Sequence, residues 1–318
     1  TQKIAEIGVF TAKKDLSDSF AINESDEGAM RMLLELHQPF DFIDSDVDIN
    51  KYKLVILPDN VLLGDKLANK LKSYIENGGG VILTDQSGLN PEKTGFAIED
   101  FGVRYIGEAP YAPDYLRLEE SFRGDIEPMD YCFYEKGSEV QALEGTEVLA
   151  RIRVPYFNRT YDRFCSHFQT PPDKLTDSPA ITKKGKVIYI SKPIFRDYII
   201  NGPKVYRDII ENCIRIIMPE PLIVSDLPRS AEVTLRKQGE RYILHVLNYI
   251  PQRKCREIDI IEDKIRLYNV KISVRLSEKP SCVYVAPSKE EIGFDYDGGY
   301  VSVTVPEIYG HQMVVFEI

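Results

Sequence analysis

Between Pro155 and Pro172 the chain reads PYFNRTYDRFCSHFQTPP, and here its hydrogen-bonding side chains and aromatic rings crowd most densely. Tyr156, Asn158, Arg159, Tyr161, Arg163, Cys165, His167 and Gln169 share one proline-bracketed, loop-like stretch. A loop so rich in donors and rings suits ligand or partner binding. The competing reading is a loop stitched to its own domain by hydrogen bonds and ring packing. Asn158-Arg159-Thr160 also matches the glycan-acceptor sequon, a three-residue signal that acts only in a secretory context the sequence does not display.

Nucleophilic chemistry has one other candidate position. An α/β sheet can present Ser or Cys on a sharp turn after a strand, flanked by small residues. The turn after Val81-Ile82-Leu83-Thr84 reads Asp85-Gln86-Ser87-Gly88, with glycine on one side of Ser87 only. Four histidines, His37, His167, His245 and His311, leave few possible bases for a triad. His37 falls on an apolar helix face and His245 in a strand, where structural roles are the commoner ones. An independent hydrolase or amidotransferase would have to use Ser87 or Cys165.

Other motifs lose their chemistry on inspection of spacing. Gly78-Gly79-Gly80 precede a strand, whereas a phosphate cradle needs its glycines after the strand and before a helix. They read instead as the cap of the preceding helix. Asp44-Ser45-Asp46-Val47-Asp48 opens like a calcium loop, but its sixth position is Ile49 and its twelfth is Val55. The five cysteines have no CxxC spacing, which argues for reduced core thiols rather than disulfides or zinc. No cofactor and no metal is expected.

The elements that would position these residues fall into two patterns. Ile4 to Thr11, Phe40 to Asp44, Lys53 to Pro58 and Val81 to Thr84 are short apolar runs. Between them, Glu24 to His37 sets Met30, Leu33, Leu34 and His37 on one helical face, and Asp65 to Glu76 does so with Leu67, Ala68, Leu71 and Ile75. Apolar strands alternating with amphipathic helices imply a parallel sheet covered on both faces. From about Asn90 to Lys184 the rhythm lapses into an elaborate insertion with strand-like runs such as Glu147 to Val154. It returns with Lys186 to Ser191 and a helix over Pro203 to Met218. Pro219-Glu220-Pro221 ends that helix, placing a domain boundary there, so the expectation is an α/β domain over 1–218 and an all-β domain over 219–318. In the second, turns at Gln238 to Arg241 and at Asp297-Gly298-Gly299 mark two hairpins, and about seven strands without a helix suggest a β-sandwich.

Composition bounds the function. The 318 residues carry 40 basic and 50 acidic side chains, net −10, without a segregated basic patch, which speaks against nucleic acid as a partner. No apolar run approaches the ~20 residues that span a bilayer, so a soluble, cytoplasmic protein is expected. The chain starts at Thr1 with neither Met nor an apolar leader, as a processed or excised start would. Tryptophan is absent although there are 19 tyrosines, which weighs against a stand-alone sugar-binding module, since such platforms commonly stack pyranose faces on rings.

Tyr52-Lys53-Leu54-Val55-Ile56-Leu57-Pro58, the helix end Tyr74-Ile75-Glu76-Asn77-Gly78-Gly79 and the strand Gly80-Val81-Ile82-Leu83 resemble the trimerisation domain of bacterial β-galactosidases. Tyr156 to Thr160 through Phe164 to His167 resembles a segment of related multidomain bacterial glycoside hydrolases, some described as α-L-fucosidases. The resemblance implies a flavodoxin-like, class I glutamine-amidotransferase-like sheet without its catalytic triad. In such enzymes a (β/α)8 barrel comes first, this domain second and a small β-sandwich last. A barrel needs about 250 residues of strand–helix repeats, and none is present, so the resemblance implies the C-terminal, non-barrel part of a glycoside hydrolase. It implies no catalytic residue here, a homo-oligomer, the barrel of the same parent as partner, and carbohydrate at the interface. In the β-galactosidases the trimer closes each active-site funnel with a neighbour's surface; by that analogy Asn158, Arg159, Tyr161 and His167 are hydroxyl-binding groups at the rim.

Overall fold

The computed structural model describes residues 1–11 and 23–318, so most of the polar loop before Glu24 lies outside the described residues. Two compact units emerge: Ile7–Met32 with Phe42–Pro219, and Thr1–Glu6 with Leu33–Asp41 and Glu220–Ile318.

The first unit is built on a nine-stranded sheet. In spatial order its strands are Phe40–Ile43, Ile7–Phe10, Leu54–Leu57, Gly80–Thr84, Val187–Ile190, Pro172–Lys184, Glu147–Pro155, Asp114–Leu118 and Asp130–Phe133. The strands from Ile7, Leu54, Gly80 and Val187 run parallel. Numbered along the chain, the first five follow the flavodoxin-like order 2-1-3-4-5. Ile7–Phe10, Leu54–Leu57, Gly80–Thr84 and Val187–Ile190 are buried throughout, as strands covered on both faces must be. The next four strands are antiparallel. They come from the segment read as an insertion, which widens the same sheet instead of forming a separate lobe.

The helices follow the sequence pattern with one shift of face. In Asp65–Glu76, Leu71 and Tyr74 are buried while Leu67, Ala68 and Ile75 pack at the core edge. Its end is the αL cap expected of the glycines: Gly78 has φ 84°, and Gly79 N–H donates to Tyr74 O at 2.9 Å. In Glu24–Glu35 the buried positions are Ser25, Gly28, Ala29, Met32 and Leu33, whereas Met30 is exposed. Small residues moved the face: a Cβ on Gly28 would lie 2.0 Å from Phe195 O, so only glycine allows this approach to the helix Ile194–Asn201. His37 is not helical either. It sits past the helix end at φ 56°, its N–H donating to Leu34 O at 3.0 Å.

The second unit is a sandwich of a six-stranded and a four-stranded antiparallel sheet around Val233, Leu235, Leu244, Val246, Ile272, Val303 and Phe316. The hairpin Ala231–Gln238/Arg241–Asn248 and the hairpin Phe294–Asp297/Tyr300–Tyr309 form as expected. Gly298 and Gly299 turn the second at φ 55° and 81°, the double positive φ of a type I′ turn. The run read as one strand from Ile4 is divided. Gln2–Ile4 pairs with Ala231–Gln238 at the sandwich edge, and Glu6 meets the Arg275 guanidinium at 2.6 Å. Only Ile7–Phe10 enters the α/β sheet. Among the described residues no helix is long and apolar enough to cross a membrane.

Gly28→Ala drives a methyl group into a carbonyl and is expected to destabilise the α/β unit by about 3 kcal/mol, the upper part of the overpacking range. Urea unfolding followed by circular dichroism measures this, and an unchanged midpoint would contradict the packing described.

Candidate functional site

In doubly wound sheets chemistry gathers at the carboxyl ends of the parallel strands. Here Asp59 follows Leu54–Leu57, and Asp85 directly follows Gly80–Thr84. Both have left-handed backbones, φ 50° and 49°, costly for a residue with a Cβ. Hydrogen bonds hold them. Thr84 Oγ1 donates to Asp59 Oδ1 at 2.6 Å and accepts from Asp59 N–H at 2.7 Å, while Arg196 N–H donates to Asp59 Oδ2 at 2.8 Å. Ser138 Oγ donates to Asp85 Oδ1 at 2.7 Å, and Tyr189 Oη donates to Asp85 O at 2.8 Å. Burial pushes the Asp59 carboxyl up to about 6. It pushes Asp85 up to about 7, with the Asp59 charge adding to the rise.

The elbow position therefore belongs to Asp85, not to Ser87. Ser87 is fully buried, and its Oγ accepts the Val61 N–H at 3.0 Å, a turn-bracing role with no contact to a base. Neither Asp59 nor Asp85 is among the candidates singled out from the sequence, although an acid within two residues of the end of each of two neighbouring apolar strands is visible in it.

Two more buried acids tie the added strands to the parallel ones. Lys192, 0% exposed, forms an ion pair with Asp114 Oδ2, 2% exposed; burial raises the Asp114 carboxyl and the Lys192 charge works against that rise. Asp197 accepts hydrogen bonds from Tyr134 N–H, Glu135 N–H, Tyr206 Oη and Asn201 Nδ2, at 2.7 to 3.2 Å.

Over this scaffold stands the loop from Pro155 to Pro172. Its base is pinned: Tyr115 Oη donates to Thr170 O, Thr170 Oγ1 donates to Phe157 O at 2.9 Å, and the Arg163 guanidinium covers the Phe157 ring at 4.7 Å. Asn158 belongs to that base. Its Nδ2 donates to Pro110 O at 2.7 Å and its Oδ1 accepts Ala112 N–H at 3.2 Å. The outer part is open. Tyr161 is 95% exposed, Phe164 70%, and Tyr156 and Phe168 each 61%. Arg159 and His167 are exposed as well; Arg159 Nη1 reaches Phe168 O at 3.4 Å, and His167 Nδ1 lies 3.0 Å from Ser166 Oγ. The Cys165 thiol points to the His167 carbonyl at 3.4 Å, so no thiol–imidazole pair forms there. Of the expected rim residues, three sit on the open side of the loop and Asn158 fastens it. Asp44 and Asp48 accept backbone N–H groups of their own turns, and no cluster of metal-ligating side chains occurs among the described residues.

Comparison with known proteins adds the context. The model of the β-galactosidase trimerisation domain matches residues 30–215. β-Galactosidase Pbg of Clostridium perfringens is 20% identical over 270 residues, covering 79% of this chain and 35% of that protein. β-Galactosidase LacZ of Heyndrickxia coagulans is 26% identical over 224 residues, 67% of this chain and 29% of that protein. The structure of α-L-fucosidase isoenzyme 2 from Paenibacillus thiaminolyticus superposes with a TM-score of 0.92 at 31% identity, covering 99% of this chain and 49% of that one. A β-galactosidase from Bacillus circulans sp. alkalophilus shares the fold at a TM-score of 0.62 and 16% identity, covering 98% of this chain and 41% of that one. The chain thus spans about a third of the curated relatives it matches.

The buried acids give a signed pH dependence. Asp59 and Asp85 keep protons in the native state that an unfolded chain, with carboxyls near 3.8, has released. Their stabilising contribution is full below about pH 4 and is lost as pH rises through 6 to 7. At about 1.4 kcal/mol per pKa unit the loss reaches several kcal/mol. The Asp59→Asn/Asp85→Asn variant is expected to gain stability relative to the parent chain by at least about 2 kcal/mol between pH 5 and 7.5. Parallel stability curves in urea across that range would refute the assignment.

Proposed function

Because the chain belongs to the β-galactosidase trimerisation domain family, we propose that it is a non-catalytic oligomerisation and active-site-supporting region of a glycoside hydrolase. The chemistry is then carried by a barrel of the same parent protein, the partner that such a region supports. The observation that carries this reading is the loop with Tyr161 and Phe164 held out to solvent on a hydrogen-bonded base. Exposed rings on a pinned loop offer large contact area at small entropic cost, as interface hot spots do. The buried state of Ser87 and the carbonyl contact of Cys165 favour this over an independent hydrolase.

In that reading the loop reaches a neighbouring subunit and completes the rim of its carbohydrate site. Arg159, Tyr161 and His167 act there as hydroxyl-binding groups, and Asn158 keeps the loop in place beneath them. Residues 1–218 supply the assembly surface and residues 219–318 the accompanying β-sandwich. A soluble, cytoplasmic setting fits the five cysteines, all of which are free thiols.

Sedimentation velocity tests the assembly. The chain is expected to reach a three-chain mass with rising concentration, and Tyr161→Ala/Phe164→Ala to weaken association at least about tenfold, the effect of losing a hot spot of 1.4 kcal/mol or more. Both side chains are exposed in the single chain, so its melting temperature should stay unchanged. A single-chain mass at all concentrations up to about 100 μM, where an association of ~6 kcal/mol would already register, contradicts the proposal.

A further inference from the structure

Within the α/β unit a pocket of about 290 Å³ opens between the strand Ser138–Ala142 and the ladder of Glu147–Pro155 with Pro172–Lys184. It is separate from the exposed rings of the loop. Val140 and Val154 wall it with methyl groups, Ser178 and Glu139 add polar atoms, and the buried pair Asp114–Lys192 contributes charge at its base.

That pair is incompletely satisfied. Asp114 Oδ2 receives Lys192 Nζ, but Asp114 Oδ1 is buried and takes no hydrogen bond. A lone buried acceptor costs about 1–3 kcal/mol, more when charged. Lys192 carries three donor hydrogens and directs one to Asp114. The base therefore has an acceptor and donors to offer to the same guest. A hydroxyl group answers both, because it donates and accepts through one atom.

Charge narrows the choice. Lys192 interacts with Asp114 and Asp85, Asp197 adds its charge next to Asp114, and Glu139 stands among the lining residues. An anionic guest would meet several carboxyls and one ammonium. The volume, about ten times the ~30 Å³ share of one water molecule, holds a single six-carbon ring with room to spare. We propose that this pocket binds a neutral, hydroxyl-rich small molecule of monosaccharide size, one hydroxyl seated between Asp114 Oδ1 and Lys192 Nζ and a C–H face against Val140 and Val154. This goes beyond the assembly role and does not depend on it, since every residue involved belongs to one chain.

Calorimetric titration of the chain with D-galactose, D-glucose, D-mannitol and the anion D-gluconate tests the proposal. At least one neutral probe is expected to bind with Kd near or below about 1 mM, the −4 kcal/mol scale, and gluconate at least about tenfold more weakly. Val154→Phe fills the pocket without touching the ion pair, and should lower the affinity for that probe at least about tenfold while sedimentation and melting stay unchanged. Asp114→Asn should weaken binding too, and the Val154→Phe arm decides if that variant does not fold. Absence of binding by every neutral probe at ~50 mM, equal binding of gluconate, or unchanged affinity in Val154→Phe overturns it. Sedimentation of the same samples reports assembly separately, so failure of one proposal does not imply failure of the other.

Discussion

The ion pair between Lys192 and Asp114 is the constraint on which the α/β unit rests. Lys192 lies just past the last parallel strand, and Asp114 opens a strand three places away across the sheet. With the two side chains only 0% and 3% exposed, each is tolerable only because the other is there; removing one partner of such a pair costs about 3–5 kcal/mol. The pair fixes how the antiparallel half of the sheet continues the parallel half. Around it the backbone closes tightly. Ser138 N–H donates to Ser191 O at 2.8 Å, and a Cβ on Gly137 would lie 2.3 Å from that same oxygen.

From that junction the loop of exposed rings and the buried acids of the parallel strands follow in order. Glu147–Pro155 and Pro172–Lys184 are the two strands that Lys192 and Asp114 bracket, and the loop of exposed rings is their connection. Register shifts recur along the pair from Val148/Ala150 to Arg153/Pro155, irregularities that bend and twist a strand as it runs into the loop. Meanwhile the carboxyl ends of the parallel strands, where an α/β enzyme would keep its nucleophile, are closed over buried Asp59 and Asp85 and their hydroxyl partners Thr84 and Ser138.

What could be read from the sequence was what local chemistry decides. The glycine cap after Glu76, the proline-ended helix before Pro219 and the Gly298-Gly299 hairpin depend on residues close in the chain, and each forms where its pattern lies. The Met30 face failed because burial there is set by Gly28 meeting Phe195, a contact across more than 160 positions. The division of Ile4 to Thr11 was equally hidden, since Leu235 and Arg275 lie far along the chain from the residues they engage. Among the loop residues, the exposure of Tyr161 and His167 agrees with the polar, proline-bracketed composition of the stretch. The bracing role of Asn158 required Pro110 and Ala112 to be brought beside it.

In the proposed assembly the open side of the Pro155–Pro172 loop is covered by another subunit. Hydrogen–deuterium exchange on the chain at dilute and at assembling concentrations tests this at the residues concerned. Protection that rises with concentration over residues 156–168, while the sheet strands keep their exchange rates, is the result expected. Amides of that loop exchanging equally fast in monomer and assembly, with protection appearing only elsewhere, would contradict it.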